Sequence, residues 1–224
     1  MAGAMTHVYI ANEVAKQLNI KDLKGFLLGN LAPDAIMCKD TYQRSDKRKT
    51  HFRSDISSDD WYKEEFKAMF QTRLVNFYDQ YAKNNDFALG YLTHLLTDQY
   101  FHYTIRCEVV NKLKQHGEVY QGKQLMHIMV GELDSIDFML LNQDHNLFSD
   151  IMSCKDVALN YEIEDLIDAK TLLINFDWVE NTFSNFRTIK PNFVYYSESD
   201  AKQLVKEAIN FIIEEIKSLQ TKRN

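Results

Sequence analysis

The stretch Gly90-Tyr91-Leu92-Thr93-His94-Leu95-Leu96-Thr97-Asp98-Gln99-Tyr100-Phe101-His102 sets three metal-capable side chains at four-residue intervals among apolar neighbours. On a helix, His94 and Asp98 point the same way and can share one ion. His102 lies one further turn along, rotated about 80° from His94 by the 3.6-residue period. Three such groups are costly to bury without a partner. Zinc, which accepts imidazole and carboxylate together, is such a partner. The bland alternative, polar residues hydrogen-bonded to neighbouring helices, stays open for each histidine taken singly.

Two further segments offer ligands to the same place. Gly29-Asn30-Leu31-Ala32-Pro33-Asp34 sets a carboxylate just after a proline expected to stop a helix. Lys49-Thr50-His51-Phe52 offers an imidazole at the end of a polar stretch. Taken alone, Asp34 reads equally well as a turn residue or helix cap, and His51 as a solvated loop residue. Lys47-Arg48-Lys49, beside His51, reads as an attractor for phosphate or, more blandly, as a solvated loop.

The elements that must position these residues read as helices. Val8 to Leu18 carries apolar residues at helical spacing, and Lys21 to Leu31 makes a second helix that ends before Pro33. Cys38 to Ser58 is polar and basic and reads as a loop. Trp61, Phe66, Phe70, Leu74, Phe77 and Tyr81 mark a helix after an Asp59/Asp60 cap. A long helix is expected from about Asp86 to Gln115, and another from about Lys123 to Leu141 after a break at Gly117 and Gly122. Two or three more follow. In the last, Ser199 serves as cap and Leu204, Ala208, Phe211, Ile212, Ile216 and Leu219 line one face. The fold class is all-α, one domain with helices packed around a central pair.

Composition agrees. The 224 residues hold only 7 Gly and 2 Pro, against most turn-rich all-β folds. The net charge of −6 argues against a stable nucleic-acid complex, which depends on neutralising phosphates. No apolar stretch reaches the roughly 18 residues of a membrane span. Cys38, Cys107 and Cys154 are an odd number without Cys-x-x-Cys spacing, as expected of reduced thiols. Met1-Ala2-Gly3-Ala4 reads as an added leader before a natural start at Met5, so the domain is expected to span 5–224. Thr6-His7-Val8-Tyr9 has no signal-peptide character, and the expected location is cytoplasmic. The sequence has no Gly-rich phosphate loop, Gly-x-Ser-x-Gly elbow or His-Glu-x-x-His motif, and no histidine is followed by aspartate.

Read together, His7 in Met-Thr-His, Gly29-Asn30-x-x-Pro33-Asp34, His51-Phe52 and Gly90-Tyr91-Leu92-x-His94-x-x-x-Asp98 resemble the zinc-dependent phospholipase C family. That family is similar in fold to the fungal single-strand-specific nucleases. The resemblance covers about residues 5–140. It implies a zinc site of Asp34, His51, His94 and Asp98, and another holding His7 with Asp98 bridging. A third site would take His102 and a His-x-x-x-Glu pair on a later helix. Here that helix reads His127-Ile128-Met129-Val130-Gly131-Glu132-Leu133-Asp134, with Gly131 where the Glu is expected. Glu132 is turned about 140° from His127, while Asp134 shares its face but lies roughly 10 Å along the axis. His127 and Glu132 are carried as candidate ligands nonetheless, and the cofactor expectation is one to three Zn²⁺ or other divalent transition-metal ions.

Zinc lowers the pKa of bound water to about 7, and paired ions clamp the oxygens of a phosphoryl displacement. The implied function is hydrolysis of a small phosphate ester or lipid by metal-bound hydroxide, with Asp34 also orienting or deprotonating the attacking water. The alternatives are a nuclease or nucleotide phosphodiesterase on the same fold, and a non-catalytic binding module stabilised by zinc.

Overall fold

The computed structural model describes residues 2–56, 64–118, 120 and 122–221. Among these the chain is helical, with a single isolated bridge between Ile163 and Ile167 in place of any sheet. The helices are α1 (Ala4–Ala15), α2 (Leu23–Ala35), α3 (Arg44–Thr50), α4 (Glu64–Gln80), α5 (Asp86–Gln115), α6 (Gly122–Gln143), α7 (Leu147–Met152), α8 (Ala169–Phe183) and α9 (Glu198–Thr221).

The expected central pair is α2 and α5. Asp22 caps α2 through Gly25 N, and Asn85 caps α5 through Ala88 N. The two helices meet at a pair of glycines. A Cβ on Gly29 would lie 1.9 Å from the Phe87 carbonyl oxygen, and one on Gly90 would lie 2.0 Å from that of Phe26. Only residues without a side chain let the backbones approach so closely. From Phe87 to Asp98 every residue of α5 is buried, so its polar residues must find partners inside.

Four sequence expectations are corrected. α2 does not stop before Pro33 but runs through it to Ala35. Proline removes only the N–H that would bond the Gly29 carbonyl, and the buried packing on α5 outweighs that loss. The expected loop from Cys38 to Ser58 contains α3, started by a capping box in which Gln43 and Asp46 bond each other's backbone N–H. The cap of α9 is Ser197 rather than Ser199: its hydroxyl accepts from Asp200 N, and Asp200 accepts from Ser197 N. α1 begins at Ala4, four residues before Val8, because a carboxylate from α6 caps it. The expected Asp59/Asp60 cap and Trp61 lie outside the described residues. On the expected face of α9, Leu204, Ala208, Ile212, Ile216 and Leu219 are buried and Phe211 is partly buried against the core.

Candidate metal centre

His94 enters the centre from α5, one turn after the Gly90 crossing. Its Nδ1 lies 2.8 Å from the Asn30 carbonyl oxygen. A carbonyl only accepts, so Nδ1 carries the proton and Nε2 holds a lone pair facing inward. The Asn30 amide, turned to satisfy its neighbours, donates to the His7 carbonyl at 2.9 Å and accepts from His94 N at 3.2 Å.

His51 is buried, not solvated, because α3 ends in a tight reversal. Phe52 N bonds the Lys49 carbonyl and Arg53 N bonds the Arg48 carbonyl, a Schellman arrangement. Phe52 stands at φ 56°, where glycine is usual. The strain, of order 1–2 kcal/mol, is held by the neighbours. Tyr91 Oη donates to the Thr50 carbonyl at 2.6 Å, Arg73 donates to the Phe52 carbonyl at 2.6 Å, and the Phe52 ring packs on Phe77. His51 Nδ1 donates to the Lys47 carbonyl at 2.9 Å, so its Nε2 also presents a lone pair.

His7 arrives on α1. Asp137 of α6 accepts from Met5 N, Thr6 N and the Thr6 hydroxyl, at 3.2, 2.7 and 2.6 Å. Gly3 leaves room for that carboxylate, since a Cβ there would lie 2.2 Å from it. His7 stacks on His94, with ring centroids 3.8 Å apart and planes within 6°. Ala2 N donates to Asp98 Oδ1 at 3.0 Å, so Ala2, expected to belong to an added leader, meets the centre.

Asp98 divides its two oxygens. Oδ1 lies 3.3 Å from His7 Nε2, and Oδ2 lies 3.5 Å from His51 Nε2 and 3.3 Å from an Arg53 nitrogen. Asp34 Oδ1 lies 3.2 Å from His51 Nε2 and 2.7 Å from Lys47 Nζ. Among the described residues two donor groups result, His7 with His94 and Asp98, and Asp34 with His51 and His94; within each group the ligand atoms lie within 4.8 Å of one another. The donors fit zinc. His51 Nε2 and His94 Nε2 are 3.3 Å apart with the proton of each on the other nitrogen, and both His7 ring nitrogens lack a well-aligned hydrogen bond despite burial. Lone pairs facing each other without a proton suit a cation held between them.

The electrostatics agree with that use. Burial holds His7 and His94 well below the usual histidine value and takes His51 down to about 3, so all three stay neutral, as metal ligands must. Burial pushes the Asp34 carboxyl up, but Lys47 and His51 outweigh it and hold the group well below the carboxylate range. Asp137, dehydrated by burial and only partly compensated by its bonds to Thr6 and Met5, rises to about 7.

The structure therefore brings together His7, Asp34, His51, His94 and Asp98. His102 is buried beside them, in the same cleft as His51 and Asp98, but in neither donor group. His127 and Glu132 are set apart. His127 is exposed. Glu132 is buried and accepts from Val194 N, Tyr195 N and Tyr196 N, at 2.8, 3.0 and 3.2 Å. Its turn of about 140° from His127 aims it at that segment, and the α6 residues reaching the centre's cavities include Met126, Val130 and Leu133 instead. Asn30, Arg53 and Asp137 received no role from the sequence. Asn30 lay inside a quoted motif, Arg53 two residues past His51, and Asp137 one helical turn past Asp134.

The centre lies between two cavities. One, of about 550 Å³, is lined by His51, Asp98, His102 and several cations. The other, of about 770 Å³, is lined by His7, Asp34 and His94 together with Trp178, Phe138 and Phe183. Among the described residues no helix is long and apolar enough to cross a membrane.

The family described as zinc dependent phospholipase C matches residues 6–187, which carry every residue of the centre except Ala2. Neither the curated proteins nor the solved structures give a significant match.

Proposed function

The chain belongs to the zinc-dependent phospholipase C family, and on that premise we propose that it hydrolyses a phosphate ester at a two-zinc centre. The observation that carries this reading is the pair of inward lone pairs on His51 and His94, 3.3 Å apart beside a carboxylate that faces both donor groups. Asp34 and His51 with His94 would hold one ion, and His7 the other, with Asp98 reaching both. His102, His127 and Glu132 are not needed for either.

Zinc bound there supplies Lewis acidity and a water that ionises near pH 7. Asp34 Oδ1, which lies between Lys47 and His51, would orient the attacking water and take up its proton. Lys47 keeps that carboxylate ionised until it does so. Arg53, lying against Asp98 Oδ2, brings a guanidinium to the cleft side of the centre, where it suits a phosphoryl oxygen. The free thiols of Cys38, Cys107 and Cys154 favour a reducing, cytoplasmic setting.

A second reading, a nuclease, is favoured by Trp178, 44% exposed beside Phe183 in the larger cavity, where a base can stack. The test is turnover of bis(p-nitrophenyl) phosphate, p-nitrophenyl phosphate and a single-stranded oligonucleotide, before and after chelation. Zinc-dependent cleavage of a chromogenic ester supports the proposal, and preferential cleavage of the oligonucleotide supports the nuclease. Two bound zinc ions without turnover of any of the three would leave a zinc-stabilised binding module.

A further inference from the structure

The 550 Å³ cleft is lined by both basic and apolar side chains. Arg48 from α3 and Arg106 from α5 line it, both half-buried, and among the described residues neither guanidinium makes a hydrogen bond or ion pair. Lys47 and Arg53, by contrast, already meet Asp34 and Asp98. Among the described residues lining the cleft, Asp98 is the only carboxylate, and it faces the metal ligands. The α6 part of the lining is apolar: Met126, Val130 and Leu133, with Met126 and Val130 more than 40% exposed.

Half-buried like charges lose hydration and repel one another, and an anion removes both costs. A cationic headgroup would meet the same repulsion, with no carboxylate left to receive it. An arginine fork matches the planar oxygens of a carboxylate or the face of a phosphate.

We propose that Arg48 and Arg106 hold a second anionic group of the substrate, a carboxylate or further phosphate beyond the ester at the metals, while its apolar portion lies along Met126 and Val130. This specificity rests on the phosphate-ester reading of the same site. The shared chemistry is an anionic phosphate ester, drawn either from a lipid headgroup or from a free metabolite.

The test compares 2-phosphoglycolate, which carries phosphate and carboxylate, with ethyl phosphate, which carries phosphate alone. Calorimetric titration is run on zinc-loaded and zinc-free wild type and on the Arg48→Gln/Arg106→Gln double variant, with zinc content as the check on folding. The expected result is at least a tenfold preference for 2-phosphoglycolate in wild type. The double variant loses that preference, while its affinity for ethyl phosphate and its zinc content hold. Equal affinities in wild type, or a preference retained in the double variant, would overturn the proposal. If the chain binds no zinc, the hydrolase reading fails, but the arginine-dependent preference is still measured in the zinc-free protein. Co-sedimentation with vesicles of phosphatidylinositol 4-phosphate in phosphatidylcholine, whose headgroup carries a second phosphate, against phosphatidylcholine alone, separates the sources. Arginine-dependent retention by the acidic vesicles assigns a lipid headgroup, and preference for 2-phosphoglycolate without retention assigns a soluble ester.

Discussion

His51 Nε2 and His94 Nε2 lie 3.3 Å apart, and each is left with a lone pair because its Nδ1 proton goes to a backbone carbonyl, that of Lys47 or Asn30. Without a cation the pair is a cost, and with one it is a binding site. Each zinc ion, at about 1,000 times its dissociation constant, should therefore add about 4 kcal/mol of stability. His51→Ala should abolish the share of that gain due to the ion held with Asp34 and His94. Thermal unfolding with and without zinc checks this, and an equal zinc-induced rise in Tm for wild type and variant would contradict it.

Gly29 and Gly90 let α2 reach α5, and that approach sets the Asn30 carbonyl against the His94 ring. Gly90→Ala should cost about 1–3 kcal/mol or more by overpacking against the Phe26 carbonyl. Zinc affinity should fall with it, because the helices must part. Denaturant titration and zinc binding are the readouts, and a stable variant with wild-type affinity would show that the close crossing does not position the ligands.

Glu132 anchors the backbone of 194–196 from a buried position. Glu132→Gln should lower stability by about 1–3 kcal/mol, as expected when charge-assisted bonds are weakened inside the protein. Zinc stoichiometry should stay unchanged. Loss of an ion in the variant would restore Glu132 as a ligand.

Acid should unfold the zinc-free protein early. Burial lowers His7, His51, His94 and His102, the last with help from Arg53 and Arg106, and His51 and His102 reach about 3. In the unfolded chain these groups protonate below about 6.5. The unfolded state then binds more protons, so their contribution to stability, present above about 6.5, is lost as pH falls toward 3. Asp137 acts oppositely. Its folded value near 7 makes the native state the better proton binder from about 7 down to about 4. Four histidines against one aspartate leave a net uptake of about three protons on unfolding near pH 5. Urea midpoints measured from pH 7 to 5 should fall steeply, and a flat profile would contradict the burial of these groups.

Much of the frame is legible in the residues. The expected helix from about Asp86 to Gln115 matches the observed limits of α5. The motifs around His7, Asp34, His51, His94 and Asp98 carry the family resemblance that the match over 6–187 bears out. The burial of His51 was hidden because α3 rests on Gln43 and Asp46 capping a basic segment that has no apolar period. Asn30 acts through its backbone carbonyl, which every residue has, so no sequence signal marks it. Arg53 reaches Asp98 only because Phe52 adopts a left-handed conformation, which is not the expectation for an aromatic residue. Glu132 was carried by the resemblance against its own geometry on the helix.

The central claim is that Asp98 serves two ions, one with His7 and one with Asp34 and His51. Metal content by mass spectrometry, on zinc-loaded protein after removal of free metal, tests it most directly. Wild type should hold two zinc ions per chain, His7→Ala one, and Asp98→Ala no more than one weakly held ion. No zinc in wild type, or two ions retained in Asp98→Ala, would contradict the account.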